Sequence, residues 1–270
     1  MLNTPIITLT SDFGLKDSFA GLMKGVILGI NPDAKIVDIT HNIHRHNIFE
    51  AAQVLSMSYR YFPPTTIHIA VVDPGVGSNR RPLLVVTEDH YFIGPDNGIF
   101  TAIFESQKSN FFKVYHLTAS HYFLPMRGLT FHGRDIFAPA AAWLSKGVDS
   151  HKMGDPVTDY VTVELPMPLI SPGNVTGQIV SIDAFGNAIS NIRLENLEPL
   201  GGIDAKDRFA VTYQNERLPF VSYYAENSTG GLSAIINSFG QLELYVYQRS
   251  AAEERKISIG DPVSVQTISG

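Results

Sequence analysis

The hydrophobic pattern of this chain changes near residue 165, and the change restricts the folds that are open to it. Before that point, strand-like runs such as IITLT at 6–10 and IHIAVV at 67–72 alternate with helical patterns. Beyond it, short strand-like runs follow one another, separated by Gly and Asn. We therefore predict an α/β N-terminal domain over 1–165 with a mostly parallel central sheet, followed by an all-β, barrel-like C-terminal domain over 173–270.

The segment between these two domains is rich in proline. The stretch ELPMPLISP at 164–172 contains three prolines in nine residues, and we assign 166–172 to a linker. The common signatures of nucleotide, metalloprotease and serine hydrolase sites, such as G-x-G-x-x-G, H-E-x-x-H and G-x-S-x-G, do not occur. Any activity must therefore come from a less common set of residues.

Composition excludes several classes of function. The net charge of −6 disfavours a nucleic-acid partner, since such proteins usually present a basic face. The chain has no cysteine, which excludes disulfides and thiolate nucleophiles. The N-terminal MLNTPIITLTSDFG lacks the features of a signal peptide, and no run approaches the roughly 18–20 apolar residues of a membrane span. We expect a cytoplasmic protein with no membrane partner.

Two strand ends carry candidate site residues. In VDPGVGSNRR at 72–81, Asp73 follows a buried strand, and the two glycines allow the loop to fold back so that Arg80 can meet it. Arg81 is the alternative partner, and a plain surface turn is the alternative interpretation. Asp12 ends the first strand, where open α/β sheets bind ligands, and can accept hydrogen bonds from a ribose diol. A turn or helix cap is its simpler role.

Other candidates are single residues in short motifs. His132, between a turn and a predicted helix, can carry a proton or link hydrogen bonds, although an isolated histidine is commonly structural. In DAFGN at 183–187, Phe185 can stack on a planar base and Asn187 can hydrogen-bond to it, but a β-turn explains the same pattern. NSFGQLE at 237–243 is equally consistent with a hairpin turn. The histidines of HNIHRH at 41–46 do not have zinc-site spacing, and we predict no metal site.

Six motifs taken together resemble one family. They are SDFG at 11–14, VDPGVGSNRR at 72–81, GPDNGIF at 94–100, FHGRD at 131–135, DAFGN at 183–187 and NSFGQLE at 237–243. In this order they resemble the S-adenosyl-L-methionine hydroxide adenosyltransferases, a former domain-of-unknown-function family related to fluorinating and chlorinating enzymes. The resemblance spans almost the whole chain.

The resemblance implies both an activity and an assembly. The family reaction converts water and S-adenosyl-L-methionine to adenosine and L-methionine by attack at the ribose C5′. Family members are homotrimers that bind substrate between the N-terminal domain of one subunit and the C-terminal domain of the next. The family's catalytic Asp-Arg-His trio matches Asp73, Arg80 and His132.

Substrate contacts are also implied by the resemblance. Asp12 matches the carboxylate that holds the ribose hydroxyls, Asn187 matches a residue near the adenosine, and Phe185 is a stacking partner. Ser238 matches a position at the methionine end, with Glu243 nearby. Relatives tend to carry Asn and Gly where this chain has Tyr247 to Arg249.

Three other functions are open at this point. A chlorinase-like halogenase is the nearest, but halogenating relatives lack the trio, and the inserted loop of the fluorinating ones has no obvious counterpart here. A non-catalytic adenosine or S-adenosyl-L-methionine sensor and a metal-dependent hydrolase are the others. Hydrolysis without a cofactor is favoured, because a sulfonium is already a good leaving group and the main requirement is to place the nucleophile.

Overall fold

The computed structural model of this chain describes residues 4–107, 111–126, 128–202 and 208–268. It contains two compact units, Met1–Leu165 and Pro166–Gly270. Within the described ranges, no helix combines the length and the apolar character that crossing a membrane requires.

The first unit is built on a seven-stranded sheet. Its strands are β1 Ile6–Ser11, β2 Lys35–Thr40, β3 Ile67–Val71, β4 Pro82–Thr87, β5 Tyr91–Pro95, β6 Phe112–Leu117 and β7 Gly154–Pro156, and its helices are α1 Phe19–Ile30, α2 Ile48–Ser58, α3 Thr101–Ser106 and α4 Ala138–Ser145. The strand order is β2-β1-β3-β5-β4-β6-β7. All strands except β4 and β7 run in the same direction, which confirms the predicted mostly parallel sheet.

Strand β3 shows why this sheet is covered on both faces. All five of its residues are buried, as expected for a central strand of a parallel sheet. Because side chains alternate along a strand, Ile67 and Ile69 pack in one cluster with residues of α1 and α4. Ala70 packs in a second cluster with residues of α2 and α3. The helices thus form a layer on each side of the sheet, and the strand ends remain available for a site.

A buried histidine pair lies inside the second of these layers. His68 on β3 is fully buried; its Nδ1 is 2.8 Å from Thr8 Oγ1, and its Nε2 is 3.4 Å from Nδ1 of His90. Burial, reinforced by the neighbouring His90, lowers the pKa of His68 to about 3. Burial also lowers the pKa of His90. Both rings are therefore uncharged at neutral pH.

This pair predicts that acid destabilises the fold before its carboxylates are protonated. Below about pH 6.5, His68 is protonated in the unfolded chain but stays neutral in the folded chain. The free energy of unfolding therefore decreases as the pH falls, and His68 contributes up to ~1.4 kcal/mol per pH unit to this decrease. Urea unfolding at pH 7 and at pH 5 measures how much the free energy of unfolding decreases between these pH values. In His68→Asn this decrease should be smaller by about 2 kcal/mol. Equal losses in the variant and the parent chain would contradict this origin.

The second unit is an antiparallel β structure. Its strands are β8 Leu169–Ser171, β9 Asn174–Ile182, β10 Ala188–Arg193, β11 Phe209–Tyr213, β12 Glu216–Leu218, β13 Leu232–Ile236, β14 Gln241–Val246 and β15 Pro262–Thr267, with a short helix α5 Ala251–Arg255. The order β12-β11-β15-β9-β10-β14-β13 is antiparallel at every pairing, and β8 pairs with β9. Strand β8 lies within residues 166–172, the segment that the sequence assigns to a linker.

The two ends of this sheet approach each other. The chain that follows β12 bonds to β13, with Val221 N–H donating to the Ala234 carbonyl and Ala234 N–H donating to the Pro219 carbonyl, both at 2.9 Å. The inward side chains of both halves form one apolar cluster around Val175, Leu244 and Val265. The nearly closed sheet confirms the predicted barrel-like domain. Its closure also removes most unpaired strand edges.

Candidate active site

A cavity of the first unit lies where β1 and β3 end. The two strands are parallel neighbours with Ser11 opposite Val71, so the residues that follow them emerge at the same edge of the sheet. Asp12 comes directly after β1 and Asp73 two residues after β3. Both line a cavity of about 360 Å³ together with His132, which immediately precedes the helical turn Gly133–Phe137. The structure therefore brings three predicted site residues to one place.

Arg80 joins two of these residues. Its Nε lies 3.0 and 2.9 Å from the two carboxylate oxygens of Asp73, and its Nη2 lies 2.5 Å from Oδ2. The same Nη2 lies 2.6 Å from Nδ1 of His132. The side chains of Asp73 and Arg80 are only 5% and 8% exposed, so the ion pair is shielded from solvent. Arg80 does not itself line the cavity but fixes two side chains that do.

The contact with Arg80 determines how His132 can take part in chemistry. A guanidinium can only donate hydrogen bonds, so Nδ1 of His132 must be the acceptor. In the neutral ring the proton is then on Nε2, which can donate but cannot accept. Of the two members that line the cavity, Asp73 can accept a proton or hydrogen bond, and the neutral His132 can donate a hydrogen bond from Nε2.

The loop between Asp73 and Arg80 depends on a glycine. Gly77 has a φ of +82°, a conformation that disfavours other residues. A Cβ on Gly77 would also lie 2.4 Å from the carbonyl oxygen of Leu129. The loop therefore packs closely against the segment that leads to His132, which is how the members of the trio meet.

Arg81 faces a different set of partners. Its Nε lies 2.8 Å from Oδ2 of Asp96, and its Nη1 lies 2.7 Å from Oδ1 of Asp159. Asp96 also accepts a hydrogen bond from the Val161 backbone at 2.7 Å. Arg81 thus ties the end of β5 to the segment around residue 160, and Arg80 is the arginine that contacts Asp73.

The histidine tract at 41–46 braces the turn that carries Asp12. His46, in a left-handed conformation, donates its backbone N–H to Oδ2 of Asp12 at 2.9 Å. The His41 ring lies 2.7 Å from Ser11 Oγ, and its carbonyl accepts from Gly14 N–H at 2.7 Å. Among the described residues, no group of three or more His, Asp or Glu is placed to hold a metal ion. The tract also contacts residues outside this turn, since Nδ1 of His44 lies 2.8 Å from Oε2 of Glu50 and Nε2 of His41 lies 3.1 Å from Oδ1 of Asp38.

A second cavity, of about 570 Å³, lies in the C-terminal unit. Phe185 and Asn187 line it, and Phe185 is 80% exposed. The turn that carries them is fixed by Asp183, whose Oδ1 accepts the backbone N–H groups of Phe185 and Asn187, both at 2.9 Å. A Cβ on Gly186 would lie 2.1 Å from Ser250 Oγ, so the turn packs directly on another lining residue. An exposed ring beside an amide is suited to a planar ligand.

The remaining two predicted contacts do not line this cavity. Ser238 is exposed in the turn between β13 and β14. Glu243, on β14, is 3% exposed and already accepts hydrogen bonds from the Tyr224 hydroxyl and the Asn237 amide, at 2.9 and 3.1 Å. Burial raises the pKa of the Glu243 carboxyl, and these two hydrogen bonds act in the opposite direction. Glu243 is placed to support other residues.

Sequence reasoning missed most of the aromatic lining. In the first cavity Phe13, Phe19 and Phe131 contact one another with centroids 5.3–5.8 Å apart. In the second cavity Tyr224, Tyr245 and Tyr247 line the wall. Gln248 beside them has a φ of +56°, a backbone conformation that Asn and Gly adopt more readily than Gln. These aromatic residues are dispersed along the sequence without a recognisable motif, and they come together only in the folded structure.

Comparison with known proteins places these features in context. Residues 7–154 match the family profile described as the SAM hydroxide adenosyltransferase N-terminal domain, and residues 177–264 match that of the C-terminal domain. The "(R)-S-adenosyl-L-methionine hydrolase" of Methanocaldococcus jannaschii is 32% identical, over 96% of this chain and 95% of that protein. A "Fluorinase" of Actinopolyspora mzabensis is 26% identical, over 97% of each chain. An uncharacterized conserved protein from Thermotoga maritima has a similar crystal structure, with a TM-score of 0.87 and 32% identity over 97% of this chain and 99% of that one.

Proposed function

Because the chain belongs to the S-adenosyl-L-methionine hydroxide adenosyltransferase family, we propose that it is an enzyme that hydrolyses S-adenosyl-L-methionine to adenosine and L-methionine. The observation that carries this proposal is the Asp73–Arg80–His132 cluster at the cavity of the first unit. It supplies a hydrogen-bond acceptor and a donor at fixed positions, which suits the placement of a water molecule.

The reaction requires one bond to form and one to break. The water oxygen attacks the ribose C5′, the C5′–S bond breaks, and its electron pair leaves with sulfur as the neutral thioether of methionine. One proton is released for each turnover. In the proposed mechanism Asp73 accepts a hydrogen bond and then the proton from water, while the Nε2–H of His132 helps to orient the water.

Arg80 has a positioning role in this mechanism. Its planar guanidinium holds both oxygens of Asp73 and the ring of His132, and its charge compensates the buried carboxylate. The remaining acceptor sites of Asp73 stay available to the water. Holding the nucleophile in line with the C5′–S bond is the main source of rate enhancement in such a displacement.

We assign substrate recognition to residues of both units. In this proposal Asp12 accepts hydrogen bonds from the ribose hydroxyls, Phe185 stacks on adenine, Asn187 hydrogen-bonds to the nucleoside and Ser238 contacts the methionine end. The division of these residues between two cavities supports a homotrimer in which neighbouring subunits complete each site. A cytoplasmic location, expected from the lack of cysteine, is part of the same proposal.

Product analysis tests the proposed function against its alternatives. We expect the chain to convert S-adenosyl-L-methionine to adenosine and methionine in the presence of chloride and of excess EDTA, because the sulfonium leaving group needs no metal or other cofactor. Both sulfonium epimers should be supplied, since the M. jannaschii relative is named for the R form. Formation of 5′-chloro-5′-deoxyadenosine would indicate a halogenase, loss of activity with EDTA a metal-dependent hydrolase, and saturable binding without products a sensor.

A further inference from the structure

Tyr224 is the residue of the second cavity whose contacts suggest a specific task. It lies in a short helical turn, Tyr224–Asn227, between β12 and β13 and lines the cavity beside Phe185 and Asn187. Its ring packs edge-on against Tyr245 with centroids 4.9 Å apart, and its carbonyl accepts a hydrogen bond from the Tyr245 hydroxyl at 2.9 Å. Both the ring and the backbone of Tyr224 are therefore held in place.

The Tyr224 hydroxyl is also held, by a side chain on the face of β14 opposite to the apolar interior of the barrel. It donates to Oε1 of Glu243 at 2.9 Å, while Oε2 of Glu243 accepts from the Asn237 amide at 3.1 Å. Glu243 thus accepts one hydrogen bond on each carboxylate oxygen, and these two bonds stabilise the ionised form against the burial that raises its pKa. Burying a carboxylate costs free energy, which hydrogen-bond donors must offset. The buried Glu243 carboxylate does not itself line the cavity.

This geometry fixes the polarity of the Tyr224 oxygen. A phenol has one proton to donate, and here that proton is directed to Glu243. The lone pairs of the oxygen can then only accept. The cavity is also lined by Asp183, while the guanidinium of Arg249, another lining residue, is paired with Glu254 at 2.7 Å. The Tyr224 oxygen therefore suits a ligand group that donates a hydrogen bond, and since the ribose hydroxyls are assigned to Asp12, the remaining donors of the proposed substrate are its N–H groups.

We propose that Tyr224 is a substrate-binding residue that accepts a hydrogen bond from an N–H group of the substrate, and that Glu243 is the positioning residue that orients its hydroxyl. The inference rests on the proposed function for the identity of the substrate. S-adenosyl-L-methionine carries two such groups, the exocyclic amino group of adenine and the ammonium group of methionine. The assignment also gives Glu243 a role that acts through Tyr224.

The test compares Tyr224→Phe with the parent chain. We expect the KM for S-adenosyl-L-methionine to rise about 3- to 10-fold, because one hydrogen bond to the substrate is lost, and kcat to change less than about twofold. The dissociation constant of adenosine is measured in parallel by calorimetry. A matching loss of adenosine affinity assigns the contact to the adenine amino group, and an unchanged adenosine affinity assigns it to the ammonium group. If neither the KM nor the dissociation constant of adenosine changes, Tyr224 does not accept a hydrogen bond from the substrate.

Tyr213→Phe is the matched control. Tyr213 makes the same kind of bond, to Asp261 at 2.6 Å, but is 1% exposed and lines neither of the two cavities described. Its removal should lower the melting temperature and leave KM and adenosine binding unchanged. An equal rise in KM in both variants would show that Tyr224 acts only through the stability of the barrel.

Glu243→Gln tests the positioning role. Its effect on KM should be no larger than that of Tyr224→Phe, and the double variant should match Tyr224→Phe alone, because Glu243 acts through the hydroxyl that is already absent. Additive effects would overturn that part of the inference. Turnover by the parent chain tests the proposed function separately, and the adenosine arm can be measured even if turnover is absent.

Discussion

Replacing Asp73 with asparagine is expected to lower kcat for S-adenosyl-L-methionine hydrolysis by about 100- to 10,000-fold, the contribution typical of a positioned proton acceptor. Asparagine has nearly the same shape as aspartate and keeps one oxygen that can accept from Arg80. It removes the basic oxygen that receives the proton of water. Steady-state kinetics at saturating substrate measures the effect, and KM should change much less because Asp73 acts on water.

Asp96→Asn is the matched control for this variant. Asp96 is also a buried carboxylate that follows a strand of the same sheet and pairs with an arginine, Arg81, at 2.7 Å. It does not line the cavity. We expect Asp96→Asn to reduce the melting temperature with kcat nearly unchanged. Parent-like turnover in Asp73→Asn, or an equal loss in both variants, would refute the assigned role of Asp73.

Replacing Arg80 with lysine should lower kcat by about 100- to 1,000-fold, comparable to the loss of one preorganised hydrogen-bond donor at an active site. Lysine keeps the positive charge but cannot hold Asp73 with two nitrogens and reach His132 from the same planar group. The His132 ring would then lose the contact that fixes its tautomer. The kinetics should be measured beside circular dichroism, so that a folding defect is recognised.

The neighbouring Arg81→Lys change separates position from charge. It removes the same planar group one residue away, where the partners are Asp96 and Asp159. We expect a loss of stability and nearly normal turnover. If Arg81→Lys were the more damaging change for kcat in folded protein, the pairing of Arg80 with Asp73 would not be the functional one.

The fold was predictable for those elements whose formation depends on the pattern of their own sequence. The continuous apolar run at 67–72 predicts a buried central strand, and β3 occupies Ile67–Val71 with every residue buried. The three-residue strands β7 and β8 were not predicted, because strands this short carry no periodicity and depend on their pairing partners. The sequence from Asn97 to Phe104 predicts a helix over those residues, but helix α3 begins only at Thr101. The Asn97 amide instead donates to the Val72 carbonyl at 2.8 Å.

The candidate site was predictable only in part. The seven-residue spacing of Asp73 and Arg80 and the glycines between them predict a loop that folds back, and the two side chains do meet. His132 joins them from 52 residues beyond Arg80, a contact that spacing alone cannot indicate. The same holds for Tyr224, whose link to Glu243 depends on the path of the chain between β12 and β13. Residues that act through tertiary contacts become visible only in the folded structure.

The central claim is that water attacks the ribose C5′ of S-adenosyl-L-methionine under the control of the Asp73–Arg80–His132 cluster. Hydrolysis in water labelled with heavy oxygen, followed by mass spectrometry of both products, tests it most directly. We predict one labelled oxygen in adenosine, at the 5′-hydroxyl, and unlabelled methionine, with the rate of labelling greatly reduced in Asp73→Asn. Unlabelled adenosine, or methylthioadenosine with labelled homoserine from attack on the amino-acid side of sulfur, would contradict it.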